Sequence, residues 1–281
     1  SIDELDTQIL GLLNERMSVV KQIGELKDKA QSSVYRPERE RAIVQRLEKL
    51  SNGLLSARAI EAIYQEIFAV SRNLEKPQSV AYLGPEGSYT HQAAMSRFGA
   101  ISSYVALASI EAVFKALDND EVNYALVPIE NNTAGAVGVT LDCLSIYSEL
   151  KIYAELYMDI HHSFVSLNKD LRAIKRIYSH PQGYNQCRLF LESHNLNELE
   201  FMPSKSTSNA AFLASKDENS AAICSKIAAK LYNVPILFES IEDNASNRTR
   251  FLILSKSKFP KTAGCKSSIL AHTAHKPGSL S

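Results

Sequence analysis

The opening stretch of this chain carries apolar side chains at helical spacing without a break: Ile2, Leu5, Ile9, Leu12, Leu13, Val20, Ile23 and Leu26. No turn signal interrupts that pattern until Gln31-Ser32-Ser33, so it predicts one helix of about 28 residues, roughly 40 Å long. Pro37 fits the first turn of a second helix holding Ile43, Val44, Leu47 and Leu50, and Asn52-Gly53 ends it. Ser56 can cap a third helix with Ile60, Ile63, Ile67, Phe68 and Val70. Two short helices cannot cover the whole apolar face of a helix as long as the first. The uncovered remainder predicts a second copy packed against it, hence an oligomer of at least two chains.

At Lys76-Pro77 the pattern changes. Short strand-like runs follow at Ser79–Leu83, Tyr124–Ile129, Ile152–Ile160, Phe164–Leu167, Ile177–Ser179, Ala221–Cys224, Pro235–Phe238 and Phe251–Leu254, alternating with helical segments. That alternation predicts an α/β domain with crossover connections. Beyond Pro260, Ser268–Thr273 reads as one strand and His275-Lys276-Pro277-Gly278 as a turn. The predicted organisation is a helical domain over 1–76, an α/β domain over 79–258 and a short third segment over 264–281.

The 31 basic and 31 acidic residues cancel, so no basic excess favours nucleic acid. The cysteines at 143, 187, 224 and 265 lack the spacing of a zinc knuckle or a redox pair. They read as free thiols, and no metal or cofactor is expected. No apolar run reaches membrane-span length, and the N-terminus is not a signal peptide, so a cytoplasmic protein is expected. The chain begins with Ser1 rather than Met, which suggests that upstream residues have been removed.

Arg16 and Lys27 are eleven residues apart, about three helical turns plus 20°, and so share one face of the first helix with Gly24 beside them. On periodicity alone such cations are ordinarily solvated. However, Leu12-Leu13-Asn14-Glu15-Arg16, Lys27, Tyr35-Arg36-Pro37-Glu38-Arg39-Glu40-Arg41, Ser71 and Glu75 together resemble the all-helical class of chorismate mutase. The resemblance implies an intertwined homodimer with the site held between helices. It implies that Arg16 binds a substrate carboxylate, Lys27 the ether oxygen and a carboxylate, and Glu40 the ring hydroxyl. Arg39 takes a family position near the site, Ser71 positions a carboxylate, and Glu75 faces the ether oxygen. Rearranging chorismate to prephenate needs no nucleophile and no cofactor. It needs a dianion held in reactive shape and donors for the charge that develops on the ether oxygen. Some relatives carry Gln where this chain has Glu75. A carboxyl there helps when protonated, so mutase activity should fall as pH rises. The family also has an Arg shortly before the Leu5-Asp6 position, and none of the four residues preceding Leu5 is Arg.

Six segments of the α/β region are individually ordinary strand-to-helix turns but specific in combination. They are Tyr82-Leu83-Gly84-Pro85-Glu86-Gly87-Ser88-Tyr89-Thr90, Val127-Pro128-Ile129-Glu130-Asn131-Asn132-Thr133-Ala134-Gly135, His161-His162, Tyr178-Ser179-His180-Pro181-Gln182, Ser206-Thr207-Ser208-Asn209-Ala210-Ala211 and Asn247-Arg248-Thr249-Arg250-Phe251. In this order they resemble prephenate dehydratase. That family implies two α/β lobes, similar to periplasmic binding proteins, with the first and last parts of the segment forming one lobe. It implies Thr249 as the group assisting departure of the ring hydroxyl. Ser88, Asn131, Thr133, Ser179, Gln182, Thr207 and Ser208 would bind the substrate carboxylates and keto group. Arg250 reads equally as a substrate ligand or a structural ion pair, Phe251 as packing, and His162 and His180 as structural. Residues 267–280 resemble the first strand and loop of an ACT regulatory domain, so phenylalanine binding is expected only where that domain is complete.

The expectation is therefore a bifunctional enzyme with chorismate and prephenate as substrates. Two other readings stay open: a dehydratase with an inactive dimerising helical domain, and a two-lobed module that binds small acids without turnover.

Overall fold

In the computed structural model, which describes residues 1–27, 34–244, 246–257 and 266–269, the unbroken apolar repeat forms α1 (Ile2–Lys27). Pro37 starts α2 (Pro37–Leu50), where its missing N–H costs nothing. The Ser56 hydroxyl accepts from the Ala59 amide and caps α3 (Ala57–Glu75). Much of the apolar face of α1 meets no neighbour: Ile2 is 75% and Leu12 66% exposed, with Leu5, Ile9, Val19 and Ile23 on the same side. Gln31-Ser32-Ser33 lies outside the described residues.

Alternation of short apolar runs and capped helices then builds two lobes. The first contains β1 (Ser79–Leu83), α4 (Tyr89–Phe98), β2 (Ser103–Leu107), α5 (Ile110–Asp118), β3 (Tyr124–Asn131), β4 (Gly135–Ala136), α6 (Gly138–Ile146) and β5 (Lys151–Asp159). The second contains β6 (Ser163–Ser166), β7 (Arg176–Ser179), α7 (Pro181–Asn185), α8 (Arg188–Ser193), β8 (Glu200–Pro203), α9 (Thr207–Ala214), β9 (Ser220–Cys224), α10 (Lys226–Leu231) and β10 (Ile236–Phe238). Finally β11 (Arg248–Ser255) returns to the first lobe and inserts between β3 and β5.

Both sheets are mixed. The first runs β2-β1-β3-β11-β5, with β11 antiparallel to both neighbours. The second runs β10-β6-β9-β7-β8, with β7 parallel to β8 and β9 and β6 antiparallel to β9. The two chain crossings between the lobes run side by side, and the Ile160 amide donates to the Asn247 carbonyl at 2.7 Å. Three strands, β2, β4 and β8, were not expected from the sequence. The outer ones, β2 and β8, are half-exposed edges with weak apolar signal. Ser268 and Ile269 are not in a strand, and the rest of the predicted strand to Thr273 lies outside the described residues.

The helical unit is not simply tethered to the first lobe. Tyr35, from the segment before α2, is fully buried in the lobe's core among Phe98, Tyr124, Phe251 and Tyr153. Its ring stacks on Tyr153 with centroids 5.6 Å apart, and the Tyr153 hydroxyl donates to its carbonyl. The Arg97 Nε donates to the Tyr35 hydroxyl at 2.6 Å. Gly99 adopts φ +79°, where a Cβ would overlap the Cβ of Ala69 on α3. A side chain there would push the two units apart.

Candidate functional site

Two sets of polar residues stand out, one in the helices and one between the lobes. In the helices, the Arg16 Nη1 donates to the Ser71 hydroxyl at 2.5 Å, while Ser71 donates to the Ile67 carbonyl at 2.7 Å. The Arg16 guanidinium lies 5.9 Å from the centre of the Phe68 ring, and burial lowers its pKa. Gly24 is buried where α3 approaches α1, and a Cβ there would sit 3.4 Å from the Glu75 Cα. The small residue thus lets Glu75 come close to α1. Glu40 pairs with the buried Arg72 of α3. Burial raises the Glu40 carboxyl above its ordinary value, with Arg72 opposing the rise. Arg39 is exposed on α2. The Lys27 side chain lies outside the described residues.

Between the lobes lies a cleft of about 350 Å³ lined by Tyr89, Asn131, His162, Gln182, Thr207 and Thr249, with Gln186, Lys205 and Asn247 beside them. Thr249 faces Asn131 across the β3–β11 ladder. The Asn131 Oδ1 accepts from the Thr133 amide at 3.0 Å, the Thr133 hydroxyl at 2.5 Å and the Ala134 amide at 3.0 Å. Three donors fix the orientation of the amide, so its Nδ2 must face Thr249, donating to the hydroxyl at 2.8 Å. Asn247 takes the other Nδ2 hydrogen at 2.9 Å. Among the described residues Thr249 has no acceptor for its own proton, which is left for the cleft.

On the far wall, His162 is buried. Its Nδ1 lies 2.7 Å from the Tyr89 hydroxyl and its Nε2 2.9 Å from the Gln186 Oε1. Burial lowers the His162 pKa and raises that of Tyr89 well above its ordinary value, so both side chains are neutral near pH 7. Ser206 caps α9, placing Thr207 in its first turn, where backbone amides have no intrahelical acceptor.

The sequence-predicted dehydratase residues divide accordingly. Asn131, Gln182, Thr207 and Thr249 line the cleft, and Thr133 sits exposed at its rim. Four others do not line it. Ser88 caps α4 by accepting from the His91 amide, and Ser179 is buried and donates to the His180 carbonyl at 3.0 Å. Ser208 is buried and donates to the Glu86 carbonyl, tying the lobes together. Arg250 points to the other face of β11 from Thr249, pairing with Glu155 at 2.7 Å and lying 3.8 Å from Glu130. Strand alternation, which sends neighbouring side chains to opposite faces, accounts for that split. Sequence reasoning placed Tyr89 in the first motif without giving it a role, missed Gln186 and Lys205, for which the only available signal was adjacency to motif residues, and missed Arg72 altogether.

His180 caps α7 through the Gln182 amide, and Phe251 packs in the core. Cys143, Cys187 and Cys224 are free and buried, while Cys265 lies outside the described residues. Among the described residues no cluster suits a metal ion, and no helix is long and apolar enough to cross a membrane.

Comparison with known proteins matches this division. Residues 1–76 fit the family model for chorismate mutase type II and residues 80–259 that for prephenate dehydratase. The bifunctional chorismate mutase/prephenate dehydratase of Aquifex aeolicus is 37% identical over 99% of this chain and 78% of its own length. The protein of the same description from Stutzerimonas stutzeri is 38% identical over the same shares. Among solved structures, the prephenate dehydratase of Arthrobacter aurescens, in complex with L-Phe, is 31% identical with a TM-score of 0.60, covering 66% of this chain and 63% of that one. The chain belongs to the family of bifunctional chorismate mutase/prephenate dehydratases of phenylalanine biosynthesis.

Proposed function

We propose that the two reactions of the family run at the two polar sets described above, chorismate rearranging in the helical unit and prephenate losing water and carbon dioxide in the cleft. The observation that carries the second assignment is the Asn131–Thr249 hydrogen bond, in which Thr249 is the acceptor. Prephenate must break its ring–carboxylate bond, sending the electron pair into the ring as carbon dioxide leaves. The ring then expels the hydroxyl at the opposite carbon and becomes aromatic. Hydroxide is a poor leaving group unless it receives a proton or a hydrogen bond. A threonine whose oxygen already accepts from Asn131 is polarised to donate, and aromatisation supplies the driving force. Gln182, Thr207 and the first-turn amides of α9 bind the carboxylates and keto group, with Thr133 at the rim. Asn131 serves to aim Thr249, because both ends of its amide are engaged by the protein. Ser88, Ser179 and Ser208 hold the cleft walls, and Arg250 holds the outer face of the sheet.

In the helical unit Arg16, held by Ser71, binds one carboxylate of chorismate, with Arg39 near the site. Lys27 and Glu75 face the ether oxygen, and Glu40 accepts from the ring hydroxyl. The ether C–O bond breaks as the new C–C bond forms, and no proton is exchanged with the protein. What the residues contribute is conformational restraint and charge stabilisation. The bare apolar face of α1 supports a homodimer with a site shared between copies.

The test is to supply purified protein with chorismate and follow both its loss and the appearance of phenylpyruvate, then repeat with prephenate. Thr249→Ala should accumulate prephenate from chorismate, and Arg16→Ala should spare chorismate while still consuming added prephenate. Unchanged phenylpyruvate formation by either variant refutes the corresponding assignment.

A further inference from the structure

Arg72 is 2% exposed, and nothing in the family reading gives it a role. Its Nη1 pairs with the Glu40 Oε1, and its Nη2 donates to the Arg97 carbonyl on α4 at 3.0 Å. The guanidinium carbon lies 5.2 Å from the centre of the Tyr35 ring and 5.9 Å from that of Phe98. One side of this cation therefore touches a mutase residue and the rest is seated on the dehydratase lobe. Glu40 keeps its Oε2 for another donor, since among the described residues only Oε1 is engaged.

We infer that Arg72 is a positioning residue of the mutase reaction, holding Glu40 ionised and aimed while itself anchored on the dehydratase lobe. The inference rests on the reading of Glu40 as the acceptor of the substrate's ring hydroxyl. The physical argument is that an ionised carboxylate removed from water needs a fixed cation. Other charged or titratable groups act on Glu40 from every side. Arg97 on α4 favours its anion, and Glu38 on its own helix opposes it. Arg16 on α1 and Tyr35 are close enough to couple to it. Of these, Arg72 is the one in direct contact. A guanidinium spans Glu40 and the Arg97 carbonyl with two nitrogens, which a single ammonium cannot do.

The experiment compares full-length Arg72→Met, Arg72→Lys, Glu40→Gln and the Met/Gln double variant. Each is assayed for mutase kcat and KM against pH, and for dehydratase turnover of added prephenate as a check that the lobe is intact. Arg72→Met should lower mutase kcat/KM at neutral pH about tenfold or more and move the rise on the acid side of its pH profile, where Glu40 ionises, upward by about one unit or more. Arg72→Lys should fall between it and the parent. Glu40→Gln should lack that rise, and adding Arg72→Met to it should cost little more. An unshifted profile in Arg72→Met, or losses that multiply in the double variant, overturns the inference. If Arg72→Met loses both activities, Arg72→Lys decides: intact dehydratase turnover with an unaltered mutase profile overturns it as well. Full mutase activity in Glu40→Gln instead overturns the reading of Glu40, and the inference with it.

Discussion

The Thr249 hydroxyl receives a hydrogen bond from the Asn131 amide at 2.8 Å, and that amide cannot turn because three donors hold its oxygen. Loss of the hydroxyl should therefore cost turnover and not structure. Thr249→Ala is expected to lower dehydratase kcat about 100-fold or more with a melting temperature close to the parent's. Asn131→Ala should lower kcat by about tenfold through misaiming, and Thr249→Ser should keep part of the rate. Steady-state phenylpyruvate formation from prephenate measures all three, and near-normal turnover in Thr249→Ala rules out the assignment.

The bare face of α1 makes a prediction about assembly. Leu12→Glu places a charge on the apolar stripe that a second copy would cover. Sedimentation velocity should show a shift towards monomer, with mutase activity lost and dehydratase activity on prephenate kept. A variant that stays fully dimeric shows that the dimer forms elsewhere.

Gly99 tests how tightly the helical unit is docked. Its left-handed φ disfavours any side chain, and a methyl group would collide with Ala69. Gly99→Ala should destabilise the chain by roughly 3 kcal/mol, visible in urea unfolding. An unchanged midpoint would mean that the two units separate easily.

His162 sets a pH dependence of stability. Burial lowers its pKa below the ordinary 6.5, so the unfolded chain binds a proton that the folded chain refuses. Its contribution is complete above about pH 6.5 and is lost as pH falls through the folded value. His91, also lowered by burial, adds to the same trend. The melting temperature should drop between about pH 7 and pH 5, less steeply in His162→Gln. Identical slopes would assign the acid sensitivity to other groups.

Local chemistry was legible in the sequence where it depended on neighbours along the chain. The Ser56 cap, the Pro37 start and most strands followed from spacing and side-chain type. Arg72 and Tyr35 were not legible, because their roles are set by partners far away in sequence: Glu40 and Arg97 for one, Tyr153 and Phe98 for the other. Ser179 and Ser208 illustrate the converse. Their motif membership was clear, but whether a hydroxyl faces a cleft or a neighbouring carbonyl depends on helix rotation and lobe packing. Arg250 beside Thr249 would have been resolved by strand alternation alone, had the register of β11 been known.

Tyr35 has a consequence for how such a chain could be divided. It is written among the residues of the helical unit, yet it fills the centre of the first lobe. Severing the chain at the junction would leave a hole of aromatic size walled by Phe98, Tyr124 and Tyr153, at a cost of about 3–5 kcal/mol if left unfilled. A first lobe parted from the helical unit would need bulkier residues around that hole to recover the lost packing. One side chain thus makes the border between the two units in the sequence differ from their border in space.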